Sequence, residues 1–199
     1  MQISNLQKSF KNKQVLKDIN LTTKPGQLIH IAGRNGSGKS TIFKIITGLL
    51  KADSGSITFD NNTYIGALIE NPGFLEYETG LSNLQFLANL RHNYNDSTVR
   101  QLLEFFYLDP DDRQAIRKYS IGMRQKIGII QAVMEDQNLI LFDEPTRGLD
   151  PDSIHQFASL LKKLKKENKT IIVASHDEIH EIPYTHFYKL SDGVLVNEN

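Results

Sequence analysis

The hydrophobic positions along the chain predict an α/β fold. Short β-rich segments come first, and two fully apolar runs, 139–142 and 171–174, later bracket a helix over 151–166. Continuous apolar runs of strand length are typical of parallel strands that are buried on both faces. The predicted strands span 3–10, 15–21, 28–32, 57–60, 64–69, 139–142 and 171–174, and a closing hairpin spans 187–196.

The middle of the chain, about 81–134, is predicted to be mainly helical. Apolar residues recur there near helical spacing, as at Leu84, Leu87 and Ala88. We therefore predict a single domain over 1–199, in which a helical subdomain at about 72–136 is inserted into the α/β core.

A phosphate-binding loop is predicted between the strand 28–32 and a helix over 40–48. The sequence GRNGSGKS matches G-x-x-x-x-G-K-[ST], and its glycines permit a tight loop whose amides surround phosphate oxygens. Lys39 is predicted to reach the β- and γ-phosphates and Ser40 to ligate Mg²⁺. The alternative is a glycine-rich turn without a ligand, which the strand, helix, lysine and serine argue against. The predicted nucleotide contacts are Gly33, Arg34, Asn35, Gly36, Ser37, Gly38, Lys39, Ser40 and Thr41.

Two acids follow the apolar strand 139–142 in the sequence LILFDEPT. Asp143 is predicted to hold Mg²⁺ and Glu144 to deprotonate an attacking water, which favours hydrolysis over transfer to a second substrate. His176 follows the strand 171–175 and should lie at the same carboxyl edge of the sheet, where it would bond to the γ-phosphate. Taken singly, the acids could be solvated and the histidine a surface residue.

Composition excludes several classes of protein. The 199 residues contain 23 basic and 23 acidic side chains, which argues against an extended polyanion-binding surface. There is no cysteine, hence no disulfide and no Cys-ligated zinc. We expect no secretory signal at the N-terminus and no membrane-spanning helix, because no apolar run approaches eighteen residues. The lysines at 162–166 are interpreted as a solvated helix face, because the leucines among them form a buried stripe, and a nucleic-acid patch is the alternative.

Six features, in order, resemble the ATP-binding-cassette family over essentially the whole chain. The resemblance implies an α/β fold with a P-loop NTPase core and a mostly parallel sheet, an antiparallel β subdomain at the N-terminus and an inserted α-helical subdomain. The six features are an aromatic at Phe10, the P-loop, a Q-loop position at Glu70, a signature segment YSIGMRQK at 119–126, the two acids with the D-loop GLDP, and His176.

The resemblance also implies that two cassettes sandwich ATP and Mg²⁺ head to tail. Ser120 and Gly122 would then bind the γ-phosphate held by the partner's P-loop, with the helix dipole behind them. Phe10 would stack on adenine. Without the other motifs, YSIGMRQK would be interpreted as a capped helix on the surface. The catalytic residues implied are Glu144, His176 and Lys39.

Two departures from the family pattern narrow the resemblance. The usual signature is Leu-Ser-Gly-Gly-Gln, and here Tyr119, Ile121 and Met123 replace its first, third and fifth residues. Glu70 stands where the family usually has glutamine, and its carboxylate could ligate Mg²⁺ with a full charge. With glutamate at this position, the chain resembles the cassettes of lantibiotic-immunity and bacitracin-type exporters. There the loop, here 72–75, also meets the membrane subunit.

The function implied is an ATPase subunit that drives a separate membrane permease, with export of an antimicrobial peptide, drug or similar substrate. The implied partners are a second copy or close paralogue and the permease, without direct nucleic-acid contact. The implied location is cytoplasmic, at the inner face of the membrane. An alternative is an ATPase of the same superfamily that acts on ribosomes or DNA, and such proteins usually carry two cassettes or a long coiled coil. A P-loop kinase would leave the signature, the D-loop and His176 without roles.

Overall fold

The computed structural model describes residues 1–11 and 13–198, and its elements alternate as the sequence predicts. The strands are β1 (Gln2–Phe10), β2 (Lys13–Thr22), β3 (Leu28–Ala32), β4 (Ser54–Thr58), β5 (Ile65–Leu68), β6 (Leu139–Asp143), β7 (Thr170–Ser175), β8 (His186–Ser191) and β9 (Val194–Asn197). The α-helices are α1 (Lys39–Ile46), α2 (Gly80–Asn89), α3 (Asp96–Phe105), α4 (Ile121–Gln131) and α5 (Pro151–Lys166), and a 3₁₀ turn spans Ile116–Lys118.

A buried parallel sheet forms the centre of the molecule. Within the described residues the strand order is β4-β1-β2-β9-β8-β3-β7-β6-β5. The pairs β3/β7, β3/β8, β6/β7 and β5/β6 are all parallel. Every residue of β6 and β7 is buried, which explains why the sequence shows uninterrupted apolar runs there. The predicted α/β fold with a mostly parallel core is confirmed.

Antiparallel strands from the N-terminal part of the chain extend this sheet at one edge. Strand β1 pairs with both β2 and β4, and β2 joins the core sheet where Asp18 pairs with Val194. The predicted strand over 57–60 is wrong in its bounds, because β4 starts at Ser54. Pairing with β1 draws the polar residues 54–56 into the ladder, and the chain turns after Thr58, where the Thr63 amide donates to the carbonyl of Asp60.

Helices α2, α3 and α4 all lie in the chain between β5 and β6, as the periodicity predicts. Leu84, Val99 and Ile127, one from each helix, are fully buried in one hydrophobic cluster that also includes Phe142 of β6. A second hydrophobic cluster, on the opposite face of the sheet, contains residues of β1, β2 and α1. The bounds 72–136 for a separate helical subdomain stay a prediction.

Helix α5 follows the predicted N-capping pattern. The Asp150 carboxylate accepts a hydrogen bond of 2.7 Å from the Ser153 amide, and Pro151 occupies the first turn. Leu161 and Leu164 are buried while Lys162 and most neighbouring lysines are exposed, so the lysines lie on a solvated face. Among the described residues, no helix is both long enough and apolar enough to cross a membrane.

Candidate functional site

The loop between β3 and α1 has the backbone conformation of a phosphate-binding loop. Gly36 and Gly38 adopt positive φ angles of 77° and 110°, a region that disfavours residues with a side chain. A Cβ on Gly38 would also lie 2.8 Å from Leu16 Cδ2. Helix α1 begins directly after Gly38, so its free amides and its dipole face the loop.

The ammonium group of Lys39 is held over this loop. The residue is 6% exposed, and Nζ donates to the carbonyl oxygens of Gly33 and Arg34 at 2.5 and 3.4 Å. The same nitrogen lies 3.2 Å from Oε1 of Glu144. A cation and the candidate base therefore face each other at the mouth of the loop.

Asp143, at the end of β6, carries a buried carboxylate. Burial raises the pKa of its carboxyl, while the Ser40 hydroxyl and the Glu70 amide donate toward it and oppose that shift. Its Oδ1 has no hydrogen-bond partner among the described residues. Buried polar atoms are normally paired, so an orphaned carboxylate oxygen beside a hydroxyl is the donor set expected for a hard cation.

These predicted residues surround one cavity of about 350 Å³. Phe10 stands at its margin and is 45% exposed, with Nζ of Lys8 lying 5.6 Å from the centroid of its ring. The exposed part of the ring can stack on a base. Folding thus brings the loop, the aromatic, Glu70 and both acids together from four separate segments. The lining residues are Phe10, Val15, Arg34, Asn35, Gly36, Ser37, Gly38, Lys39, Ser40, Thr41, Glu70, Asp143 and Glu144.

The side chain of Glu70 has a partner that the sequence analysis missed. Its Oε1 lies 2.6 Å from Nζ of Lys44, which stands one helical turn after Ser40 on α1. Glu70 itself has a positive φ of 53°. The sequence separation of 26 residues gives no local signal for this ion pair.

The signature segment lies outside the cavity of its own chain. The Ser120 hydroxyl accepts from the Met123 amide at 3.1 Å and caps α4. A Cβ on Gly122 would lie 2.4 Å from the carbonyl oxygen of Gly148, so the signature packs tightly on the D-loop. Gln125, another residue that the sequence analysis missed, donates from Nε2 to the carbonyls of Glu144 and Pro145 at 3.1 and 3.0 Å.

His176 lies next to the acids without lining the cavity. Its backbone amide is 3.4 Å from Oε2 of Glu144, and its Nδ1 is 2.9 Å from Oδ1 of Asp177. The imidazole is more than half exposed. Beneath it, His30 contacts Ser175, a pairing whose only signal in the sequence is one polar residue within the apolar strand LIHIA.

A glycine-rich loop that opens a helix, a buried lysine and two strand-end acids define a P-loop nucleoside triphosphatase. The sequence profile of the family described as "ABC transporter" matches residues 16–147. The chain belongs to this family, which confirms the predicted resemblance.

The most similar sequences include ATP-binding proteins of bacterial transporters. An uncharacterized ABC transporter ATP-binding protein, YdbJ of Bacillus subtilis, is 37% identical over 88% of this chain and 61% of its own length. The bacitracin transport ATP-binding protein BcrA of Enterococcus faecalis is 36% identical over 92% of this chain and 62% of its own. The lantibiotic transport ATP-binding protein SrtF of Streptococcus pyogenes is 33% identical over 88% and 80%. The chain thus spans about three fifths of the length of the first two relatives.

Solved structures of the same fold include the ABC transporter cassette MJ0796, determined as a dimer. It superposes with a TM-score of 0.87 at 26% identity and covers all of this chain and 96% of its own. A post-hydrolysis state of that cassette, bound to ADP and Pi, gives the same TM-score.

Proposed function

We propose that this chain is the ATP-hydrolysing subunit of a membrane transporter. The observation that carries the proposal is the cavity in which the phosphate loop meets Asp143 and Glu144. Lys39 would contact the β- and γ-phosphates, and Glu144 would take a proton from the attacking water. The water oxygen would bond to the γ-phosphorus as the bond to the ADP oxygen breaks, giving ADP and phosphate.

The donors present fit Mg²⁺. Asp143 supplies a buried carboxylate oxygen that has no hydrogen-bond partner in the described part of the chain, and Ser40 supplies a hydroxyl beside it. Glu70 lines the same cavity as a further carboxylate. Mg²⁺ is usually held by one or two carboxylates together with substrate phosphates, which matches this small set. When bound, the ion would neutralise charge that develops on the phosphate oxygens.

We propose that Ser120 and Gly122 serve the nucleotide of a second copy of this chain. Their absence from the cavity of their own chain and the exposure of the Ser120 end of α4 support this role. The related cassette of known structure is described as dimeric. Phe10 would stack on adenine, and His176 would bond to the γ-phosphate once the two copies close.

The partner proposed beyond the dimer is an integral membrane permease that exports an antimicrobial peptide or a similar substrate. Support comes from relatives described as bacitracin and lantibiotic transport proteins. Leu75 and Tyr77, a few residues after Glu70, are exposed at 44% and 78% and offer an apolar docking surface. The chain would then lie at the cytoplasmic face of the membrane. Co-purification with a co-expressed membrane subunit, lost when Tyr77 is changed to Asp, tests this partner.

Glu144→Gln tests the proposed hydrolysis. The amide keeps the size of the carboxylate but cannot accept the proton, so kcat should fall about 10²- to 10⁴-fold while ATP binding remains. Glu104→Gln, an exposed change on α3, is the matched control. ATPase at the parental rate in Glu144→Gln would show that Glu144 is not the base. ATP should also trap this variant as a dimer in light scattering, and a monomer at high concentration would refute the sandwich.

Mixing two inactive variants tests whether the site is shared. Ser120→Arg disables the partner's site, and Lys39→Ala disables a chain's own loop. A mixed dimer can place both lesions in one composite site and leave the other whole. ATPase in the mixture, absent from either variant alone, is the expected result, and an inactive mixture in which mixed dimers are demonstrated would contradict it.

A further inference from the structure

A buried histidine lies under the turn that carries His176. His30, in β3, is 3% exposed, and its Nε2 is 2.8 Å from Oγ of Ser175, the residue directly before His176. Ser175 is also 3% exposed, and its hydroxyl donates to the carbonyl oxygen of Asp177 at 2.7 Å. The two hydrogen bonds therefore reach the chain on both sides of His176.

The direction of these bonds follows from the donors available. A serine hydroxyl has one proton, and here that proton goes to the Asp177 carbonyl. The Ser175 oxygen must then accept from His30, so Nε2 of His30 carries a hydrogen. The result is a directed relay from the imidazole N–H to the hydroxyl and on to the carbonyl.

The position of the His30 ring is itself fixed by packing. The ring of Tyr184 lies 4.9 Å away between centroids, and the ring of Phe187 meets it edge to face at 6.4 Å. Along β3, Ile29 and Ile31 on either side are almost fully buried. Burying a polar side chain in such a strand costs stability unless the side chain is hydrogen-bonded, and the bond to Ser175 satisfies this need for His30. An isoleucine at this position could not donate to Ser175.

We propose that His30 is a positioning residue for His176. Through Ser175 it fixes the carbonyl of Asp177, and with it the turn that holds the His176 amide 3.4 Å from Glu144 Oε2. The inference rests on the proposed ATP hydrolysis, in which His176 contacts the γ-phosphate.

The test is a mutant cycle on steady-state ATPase. His30→Leu should lower kcat about 5- to 30-fold, the size of one lost positioning bond, with little change in KM. His30→Gln should recover most of this loss, since its amide can donate to Ser175. In a His176→Ala background, His30→Leu should cause no further loss. Tyr184→Phe is the matched control, because it keeps the ring and removes a hydroxyl with no hydrogen-bond partner among the described residues.

Equal losses from His30→Leu with and without His176 would overturn the inference, as would an unchanged kcat. If His30→Leu does not fold, Ser175→Ala carries the same cycle. The NMR signal of the His176 ring is the second readout: His30→Leu should shift it, Tyr184→Phe should not, and an unmoved signal also overturns the inference. A wild-type protein without ATPase would refute the proposed function itself, whereas active wild type without coupling refutes only the role of His30.

Discussion

Because Lys44 and Glu70 form an ion pair, we predict that removing the positive charge of Lys44 strengthens the binding of Mg²⁺. Glu70 is proposed as a metal-side carboxylate, yet its Oε1 lies 2.6 Å from Nζ of Lys44. A metal ion bound by this carboxylate would compete with the Lys44 ammonium for its negative charge. Lys44→Met keeps the length of the side chain and removes the competing charge.

The structure sets the size of the effect. The two side chains are 35% and 56% exposed, so solvent screens the pair and its contribution is about 0.2–1 kcal/mol. Without Lys44 this free energy no longer opposes metal binding, so the half-saturating Mg²⁺ concentration should fall by up to about fivefold. Glu70→Gln should raise it modestly, because Ser40 and Asp143 remain, and Glu70→Ala should raise it further.

The assay is ATPase at saturating ATP, titrated with free Mg²⁺. The decisive comparison is Lys44→Met in the Glu70→Gln background, where no carboxylate remains to be released and no shift is expected. Lys51→Met, an exposed change after α1, controls for the loss of one positive charge.

An unchanged Mg²⁺ requirement in Lys44→Met would refute this reasoning. An equal shift in the Glu70→Gln background would refute it as well, because the effect would then be a general electrostatic one. Thermal unfolding of each variant shows whether the change is confined to the site.

Two further predictions concern stability. A Cβ on Gly66 would lie 1.9 Å from the backbone oxygen of Ala132, so Gly66→Ala should lower the free energy of unfolding by about 3 kcal/mol or more in urea denaturation, whereas Gly73→Ala, with open space around it, should not. Desolvation lowers the pKa of His30 from its model-compound value of 6.5, against the opposing charges of Glu178 and Glu144. The imidazole therefore binds a proton more readily in the unfolded chain. The contribution of neutral His30 to the free energy of unfolding is fully present above about pH 6.5 and declines below it. Urea midpoints at about pH 7.5 and 5.5 should differ less in His30→Gln than in wild type, and an equal difference would contradict this.

The sequence by itself determined the elements whose signals are local. The P-loop, the acids after β6 and the capped start of α5 each occupy one short segment, where backbone geometry and residue type depend on near neighbours. Buried parallel strands need apolar residues on both faces, so β6 and β7 were visible as continuous runs. Together with the order of the other motifs, these features sufficed for the family and the fold. The P-loop and the acids predicted most of the residues that line the cavity, whereas Phe10 and Glu70 were expected from the family resemblance and Val15 was not predicted.

Only the tertiary structure decided which distant side chains meet. The Lys44–Glu70 pair, the Gln125 bonds to the chain after β6 and the His30–Ser175 bond join residues 26, 19 to 20 and 145 positions apart. The start of β4 likewise depends on pairing with β1, because its polar residues have no strand pattern of their own. Such contacts follow from the order of the strands within the sheet, which brings together segments that have no periodic relation in the sequence.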